Sequence, residues 1–332
     1  MKNFIVAAAF AALLLFPACT SKKGPTLWIY TSLYPHVVED MKARVAAKFP
    51  GVDIQWYQAG SENVAAKVNS ELLSGHTQAD IIMTSDLFWY EDLKAKGQLL
   101  AYDSPAVAKI PAQFKDPEHT WSASRVPVMV LAYNSDVYPA ADAPKSFGEL
   151  ILPKYKDKVA MPSPLESGTA FTTVALVEKK LGWDYFQKLR ANGALSAGGN
   201  SAVMARIESK ERPVGIVLLE NVLTTRKKNP KITAVYPAEG AVTIPSPLAI
   251  TAKTAQPELA KKVFDYLFTT EAQEIITKGD MYSICTEIAP PPGAEPWANV
   301  LKTAMPWDMA LIAKVRAERD EIKQQFAKIM LE

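Results

Sequence analysis

The residues most able to do chemistry in this chain are small hydroxyls and glycines that stand where an apolar strand-like run gives way to a helical pattern. Thr31-Ser32 follows Leu27-Trp28-Ile29-Tyr30, Gly60-Ser61 follows residues 52–57, and Thr84-Ser85 follows Asp80-Ile81-Ile82-Met83. Farther along come Ser163-Pro164-Leu165-Glu166-Ser167-Gly168-Thr169, and Gly198-Gly199-Asn200-Ser201 ahead of residues 202–207. Taken singly, each reads first as a helix N-cap, whose side-chain oxygen accepts a first-turn amide. Taken together, they predict one crevice lined by helix N-termini, where orphan amides and helix dipoles favour an anion. Ser167-Gly168-Thr169 is the most pointed of them. Glycine lets the backbone come close, hydroxyls flank it, and a helix follows, which suits a phosphate or phosphonate without any lysine. It is not a nucleotide-hydrolysing P-loop, because no Gly-Lys-Ser/Thr ending is present.

Other groups are less sharply marked. Glu220-Asn221 follows a β run at 214–219, so Glu220 either faces the crevice, accepting a hydroxyl or ammonium, or is a first-turn acid on the next helix. Arg125 is either a crevice cation or a surface arginine. Residues 226–228 (Arg-Lys-Lys) read as solvated charges at a helix end. The three histidines, His36, His76 and His119, share no metal-ligand spacing. Neither a Gly-x-Ser-x-Gly elbow nor a His-Glu-x-x-His helix occurs, so no catalytic residue, metal site or cofactor is expected.

The elements that would position these residues alternate. Strand-like runs at 27–30, 52–57 and 80–83 are separated by single helices, one with Val37, Met41, Val45 and Phe49 at a four-residue spacing. The pattern restarts with strands at 128–133, 158–161, 214–219 and 232–236, and a capping box at Ser146-Phe147-Gly148-Glu149. After Pro245-Ser246-Pro247 the chain is mainly helical. Strands separated by single helices predict parallel pairing, and the whole an α/β protein of two lobes, each a sheet flanked by helices, with a helical C-terminal tail. The crossing segments fall at 124–133 and 236–247. Lobe one then combines 26–127 with 247–332, and lobe two is 128–246.

Bulk properties narrow the function classes. The net charge of +2, from 37 basic and 35 acidic side chains, offers no basic patch with interleaved aromatics, so nucleic acid is not expected. Lys2, an apolar stretch from Phe4 to Phe16, and Pro17-Ala18-Cys19 form a leader too short to span a bilayer. A signal peptide at 1–18 is expected, with Cys19 acylated as a membrane anchor and 19–25 as the linker. Cys285 is the only other cysteine and reads as a buried structural thiol. Nothing signals oligomerisation, so a monomer is expected.

Several stretches together resemble the ferric-iron-binding-protein-like branch of periplasmic solute-binding proteins. They include Leu27-Trp28-Ile29-Tyr30-Thr31-Ser32, Gly60-Ser61-Glu62, Ala79-Asp80-Ile81-Ile82, Tyr133-Asn134-Ser135-Asp136-Val137, 153–161, 162–170, and 236–240 with Ile244-Pro245-Ser246-Pro247-Leu248-Ala249-Ile250. The resemblance implies a type II periplasmic-binding-protein fold that captures a solute for the permease of an ABC importer by hinge closure. Ferric-binding members use adjacent tyrosines where this chain reads Leu219-Glu220-Asn221-Val222, so two phenolates favoured by ferric ion are absent there. The chain is instead similar to members that bind phosphonates such as 2-aminoethylphosphonate, or hexose phosphates. That similarity implies that Ser167, Gly168 and Thr169 take the phosphoryl group. By position Asn200, Ser201 and Glu220 then face the organic part, and the strand-end residues Thr31, Ser32, Ser61 and Ser85 line the same crevice. A ferric-ion carrier and a secreted phosphatase-like enzyme are the alternatives.

Overall fold

A computed structural model describes residues 24–332. The expected leader at 1–18 and the acylation site at Cys19 lie outside the described residues. The first stretch alternates as its apolar periods predict: β1 (Thr26–Thr31), α1 (Pro35–Lys48), β2 (Asp53–Gln58), α2 (Ser61–Leu73), β3 (Ile81–Met83), α3 (Leu87–Ala95) and β4 (Ser122–Val126). In α1, Val37, Met41 and Val45 turn inward, and Pro35 opens the helix where its missing amide costs nothing.

The second stretch holds β5 (Val128–Asn134), β6 (Val159–Met161), α4 (Gly168–Leu181), α5 (Trp183–Ala191), β7 (Leu195–Ser196) and α6 (Asn200–Glu208). It continues with β8 (Val214–Leu218), α7 (Leu219–Arg226), β9 (Ile232–Val235) and β10 (Val242–Thr243). The chain then forms β11 (Ser246–Ile250), α8 (Pro257–Leu267), α9 (Thr270–Lys278), β12 (Tyr282–Ser283), α10 (Trp297–Thr303), α11 (Met309–Ala317) and α12 (Arg319–Met330).

Two sheets result. One runs β12-β4-β11-β3-β1-β2, and the other runs β10-β5-β8-β6-β7 with β9 also on β5. Strands joined through helices pair in parallel: β1 with β2 and β3, and β6 with β7 and β8. Parallel pairing does not extend to the crossings. There β11 runs against β3 and β4, and β5 runs against β8, β9 and β10. A strand that arrives straight from the other sheet has no crossover helix to turn it, so it enters in the opposite sense.

The chain passes between the sheets at Pro127, and returns between Thr243 and Ser246. The two passages lie side by side, with Val242 opposite Met129, Ser246 opposite Arg125, and the Ile244 amide donating to the Pro127 carbonyl at 2.9 Å. Paired connections of this kind allow two lobes to rotate about one axis without breaking their sheets.

One apolar core runs through both lobes. Phe88 of α3 packs edge-on against Phe171 of α4 at 5.4 Å, and Phe186 of α5 against Phe326 of α12 at 5.7 Å. Residues 168–177 of α4 are buried on every side, as a helix lodged between two lobes must be. The C-terminal helix, grouped with lobe one by the sequence, therefore packs its apolar face on α5 of the second lobe. The Ser146–Glu149 capping box forms in part, with the Glu149 amide on Ser146 Oγ at 3.1 Å, yet it opens only a short 3₁₀ turn. Pro153 lies too close for a full helix to follow. Cys285, expected to be buried, is only half-buried, with its Sγ 3.8 Å from the Phe268 carbonyl oxygen.

Candidate functional site

The helices that follow the parallel strands all start at the junction between the lobes. The N-cap residues Tyr34 of α1, Gly60 of α2, Ser167 of α4, Gly199 of α6 and Leu218 of α7 line a single cavity of about 340 Å³. Each helix start carries a partial positive charge from its dipole and its unpaired amides. The amides of Thr169, Asn200 and Ser201 have no protein acceptor among the described residues. Ser32, which also lines the cavity, has a buried hydroxyl with no partner among the described residues.

The hydroxyls of Ser167 and Thr169 are held by a small relay. Asn200 is fixed because its Oδ1 accepts the Leu218 amide at 3.2 Å, and its Nδ2 then donates to Thr169 Oγ1 at 3.0 Å. Thr169 Oγ1 and Ser167 Oγ are 2.9 Å apart, and the Ala170 amide donates to Ser167 Oγ at 3.3 Å. With Thr169 donating to Ser167, the Ser167 proton is free to point into the cavity. That arrangement offers hydrogen to an anion's oxygen.

The lobes meet across this site. Ser61 Oγ accepts the Gly168 amide from the opposite lobe at 2.8 Å. A Cβ on Gly168 would stand 2.8 Å from Asp86 Cβ and 2.9 Å from the Ser85 carbonyl oxygen. Glycine is required there by contact between lobes, which is a different reason from the one the sequence suggests. Its amide is bonded to Ser61 rather than turned to the cavity.

The expected site residues thus divide. Ser32, Ser61, Ser85, Ser167, Thr169, Asn200 and Ser201 line the cavity, whereas Thr31, Gly168 and Glu220 do not. Thr31 is buried, and its Oγ1 accepts the Leu33 amide at 3.1 Å, so it shapes the turn after β1. Glu220 is buried beside Arg125, with an oxygen 3.4 Å from Arg125 Nη1. Burial, opposed by Arg125, pushes the Glu220 carboxyl up to about 7. Arg125 is the crevice cation, only 4 % exposed, and its Nη2 donates to Ser85 Oγ at 2.9 Å. The same burial disfavours its charge, although Arg remains protonated.

Two further cavity residues are ones that sequence reasoning misses. Tyr34 lines the cavity behind β1, and Glu166 lines it while accepting the Gly198 amide at 3.0 Å. Both stand within a few residues of the candidate hydroxyls, and that proximity is the signal that could find them. Among the described residues, no group of three or more His, Cys, Asp or Glu side chains is placed to hold a metal ion.

This geometry agrees with what the chain is related to. Its sequence matches the family described as bacterial extracellular solute-binding protein over residues 77–305, and the chain belongs to that family. It is 24% identical over 241 residues, 70% of this chain and 69% of the relative, to a Salmonella paratyphi A protein named "Putative 2-aminoethylphosphonate-binding periplasmic protein". Its fold is that of type II periplasmic binding proteins. The Actinobacillus pleuropneumoniae protein AfuA, solved with fructose-6-phosphate, superposes with a TM-score of 0.81 at 23% identity, covering 93% of this chain and 99% of that one. Iron-bound HitA from Pseudomonas aeruginosa also gives 0.81, at 19% identity and with 91% and 99% covered.

Proposed function

We propose that this protein is the solute-binding subunit of an ABC importer and captures a small anionic organophosphorus solute, a phosphonate such as 2-aminoethylphosphonate or a sugar phosphate. The observation that carries this reading is the convergence of helix N-termini from both lobes on one cavity, with amides and hydroxyls there still unpaired. Phosphoryl oxygens supply the missing acceptors, and the dipoles oppose their charge without the strong hydration of a lysine. Ser167, Thr169, Asn200 and Ser201 bind from the second lobe, and Ser32, Ser61, Ser85 and Arg125 from the first. A solute touching both sides stabilises the closed form, which the permease recognises. The protein works outside the cytoplasmic membrane, as a monomer tethered through acylated Cys19.

Ferric ion is the weaker reading. The start of α7 presents Glu220, which is buried against Arg125 and does not line the cavity, and among the described residues Tyr34 is the one phenol that does. The test is Ser167→Ala/Thr169→Ala titrated with 2-aminoethylphosphonate and with fructose 6-phosphate by calorimetry. A hydrogen bond to a charged group is worth about 1.5–3 kcal/mol, so losing the Ser167 donor and the Thr169 hydroxyl that orients it makes affinity for whichever solute binds fall at least about tenfold. Unchanged affinity contradicts the phosphoryl assignment.

A further inference from the structure

Helix α7 belongs to the second lobe by its apolar side. Leu219, Val222 and Leu223 are buried with Val128 and Val130 behind the second sheet. Its other side carries Glu220, Asn221, Thr224 and Lys227, which at 100° per residue fall in one stripe. Every side chain in that stripe bonds to the first lobe. Glu220 meets Arg125 at 3.4 Å, and Tyr34 donates its phenol to Asn221 Oδ1 at 2.7 Å. Thr224 Oγ1 and Lys227 Nζ both donate to Asp280 Oδ2, each at 2.7 Å.

On the receiving side Asp280 takes both of these bonds through Oδ2, while its Oδ1 is buried with no partner among the described residues. Asp280 is buried between α9 and β12 with φ at 64°, a left-handed conformation uncommon for a non-glycine residue. Such a backbone persists where its surroundings over-determine it. The next residue, Met281, accepts from Arg125 Nη1 through its sulfur at 3.2 Å. None of Asn221, Thr224, Lys227 or Asp280 lines the cavity. Their bonds therefore form when the lobes meet, with or without solute.

We infer that this polar stripe is a closure latch that populates the closed form before solute arrives. Asn221, Thr224 and Asp280 are then positioning residues for capture, acting through lobe geometry and never touching the solute. Apparent affinity scales with the fraction of molecules already competent to bind, so the latch sharpens binding while leaving the contacts alone. The Lys227 pair contributes least, because the lysine side chain is 57% exposed and screened by solvent. Only the opening and closing of the lobes is taken from the proposed function, and the nature of the solute is not.

Small-angle scattering of the solute-stripped protein tests the latch, with no ligand in the cell. The wild type should give the radius of gyration of the closed structure. Asn221→Ala/Thr224→Val should give a larger one while its near-UV circular dichroism stays native. Arg226→Met, exposed on the opposite side of α7, should match the wild type. Lys227→Met, too exposed to endanger folding, should move the profile the same way by less. An open wild type overturns the latch, as does a closed profile for both the double variant and Lys227→Met. Because no solute is used, either result holds whatever the cavity binds.

Discussion

Two regions of the lobe junction are built from similar polar side chains and end in opposite states. Around the cavity, the Ser32 hydroxyl and the amides of Thr169, Asn200 and Ser201 have no partner among the described residues. Along α7, a few residues away, Glu220, Asn221, Thr224 and Lys227 are all bonded across the junction. Buried polar groups cost free energy when unpaired, and native proteins rarely leave them so. The difference therefore separates the two jobs. Unmet hydrogen-bonding capacity facing the cavity marks where a solute belongs, and bonds across the junction mark where the protein closes on itself. Asp280 Oδ1, buried without a partner among the described residues, is the exception on the α7 side.

The comparison breaks most severely at Gly168, where the two lobes touch beside the cavity. Gly168→Ala sets a methyl group against Asp86 and the Ser85 carbonyl, so the lobes must stay apart. Overpacking of this kind costs about 1–3 kcal/mol, and affinity for the solute should fall roughly 10- to 100-fold with the fold intact by circular dichroism. Unchanged affinity would mean that the lobes do not approach as closely as the Ser61–Gly168 bond requires.

A finer test uses Glu220, the carboxylate of the seam that burial holds near neutrality. Its carboxyl titrates near 4.5 when exposed and at about 7 in the folded protein. The groups that face it are Arg125, which favours its ionised form, Asp280, which opposes it, and the Tyr34 phenol. Because the folded value is the higher one, the contribution to stability is fully present below about pH 4.5 and is lost as pH rises through about 7. The loss is on the order of 3 kcal/mol. Thermal melts between about pH 4 and 8 should show this slope in the wild type and a flatter profile in Glu220→Gln. Equal slopes in both proteins would contradict the assignment.

The strand–helix alternation of the first lobe is legible in the sequence because its apolar residues keep clean periods, as Val37, Met41 and Val45 do in α1. The cavity hydroxyls are legible because caps and anion sites use the same residue types at the same strand ends. What stays hidden depends on contacts distant in sequence. Arg125 and Glu220 are 95 positions apart, and neither residue type announces that it will be buried beside the other. Antiparallel pairing at the crossings and the packing of Phe326 on Phe186 are also products of how the lobes come together. Local pattern carries no record of them.

Native mass spectrometry of the freshly purified protein tests the central claim most directly. The account predicts a mass excess over the apoprotein equal to one phosphorus-containing organic anion, lost in Ser167→Ala/Thr169→Ala. An excess equal to one iron, with or without a small carboxylate anion, would contradict it.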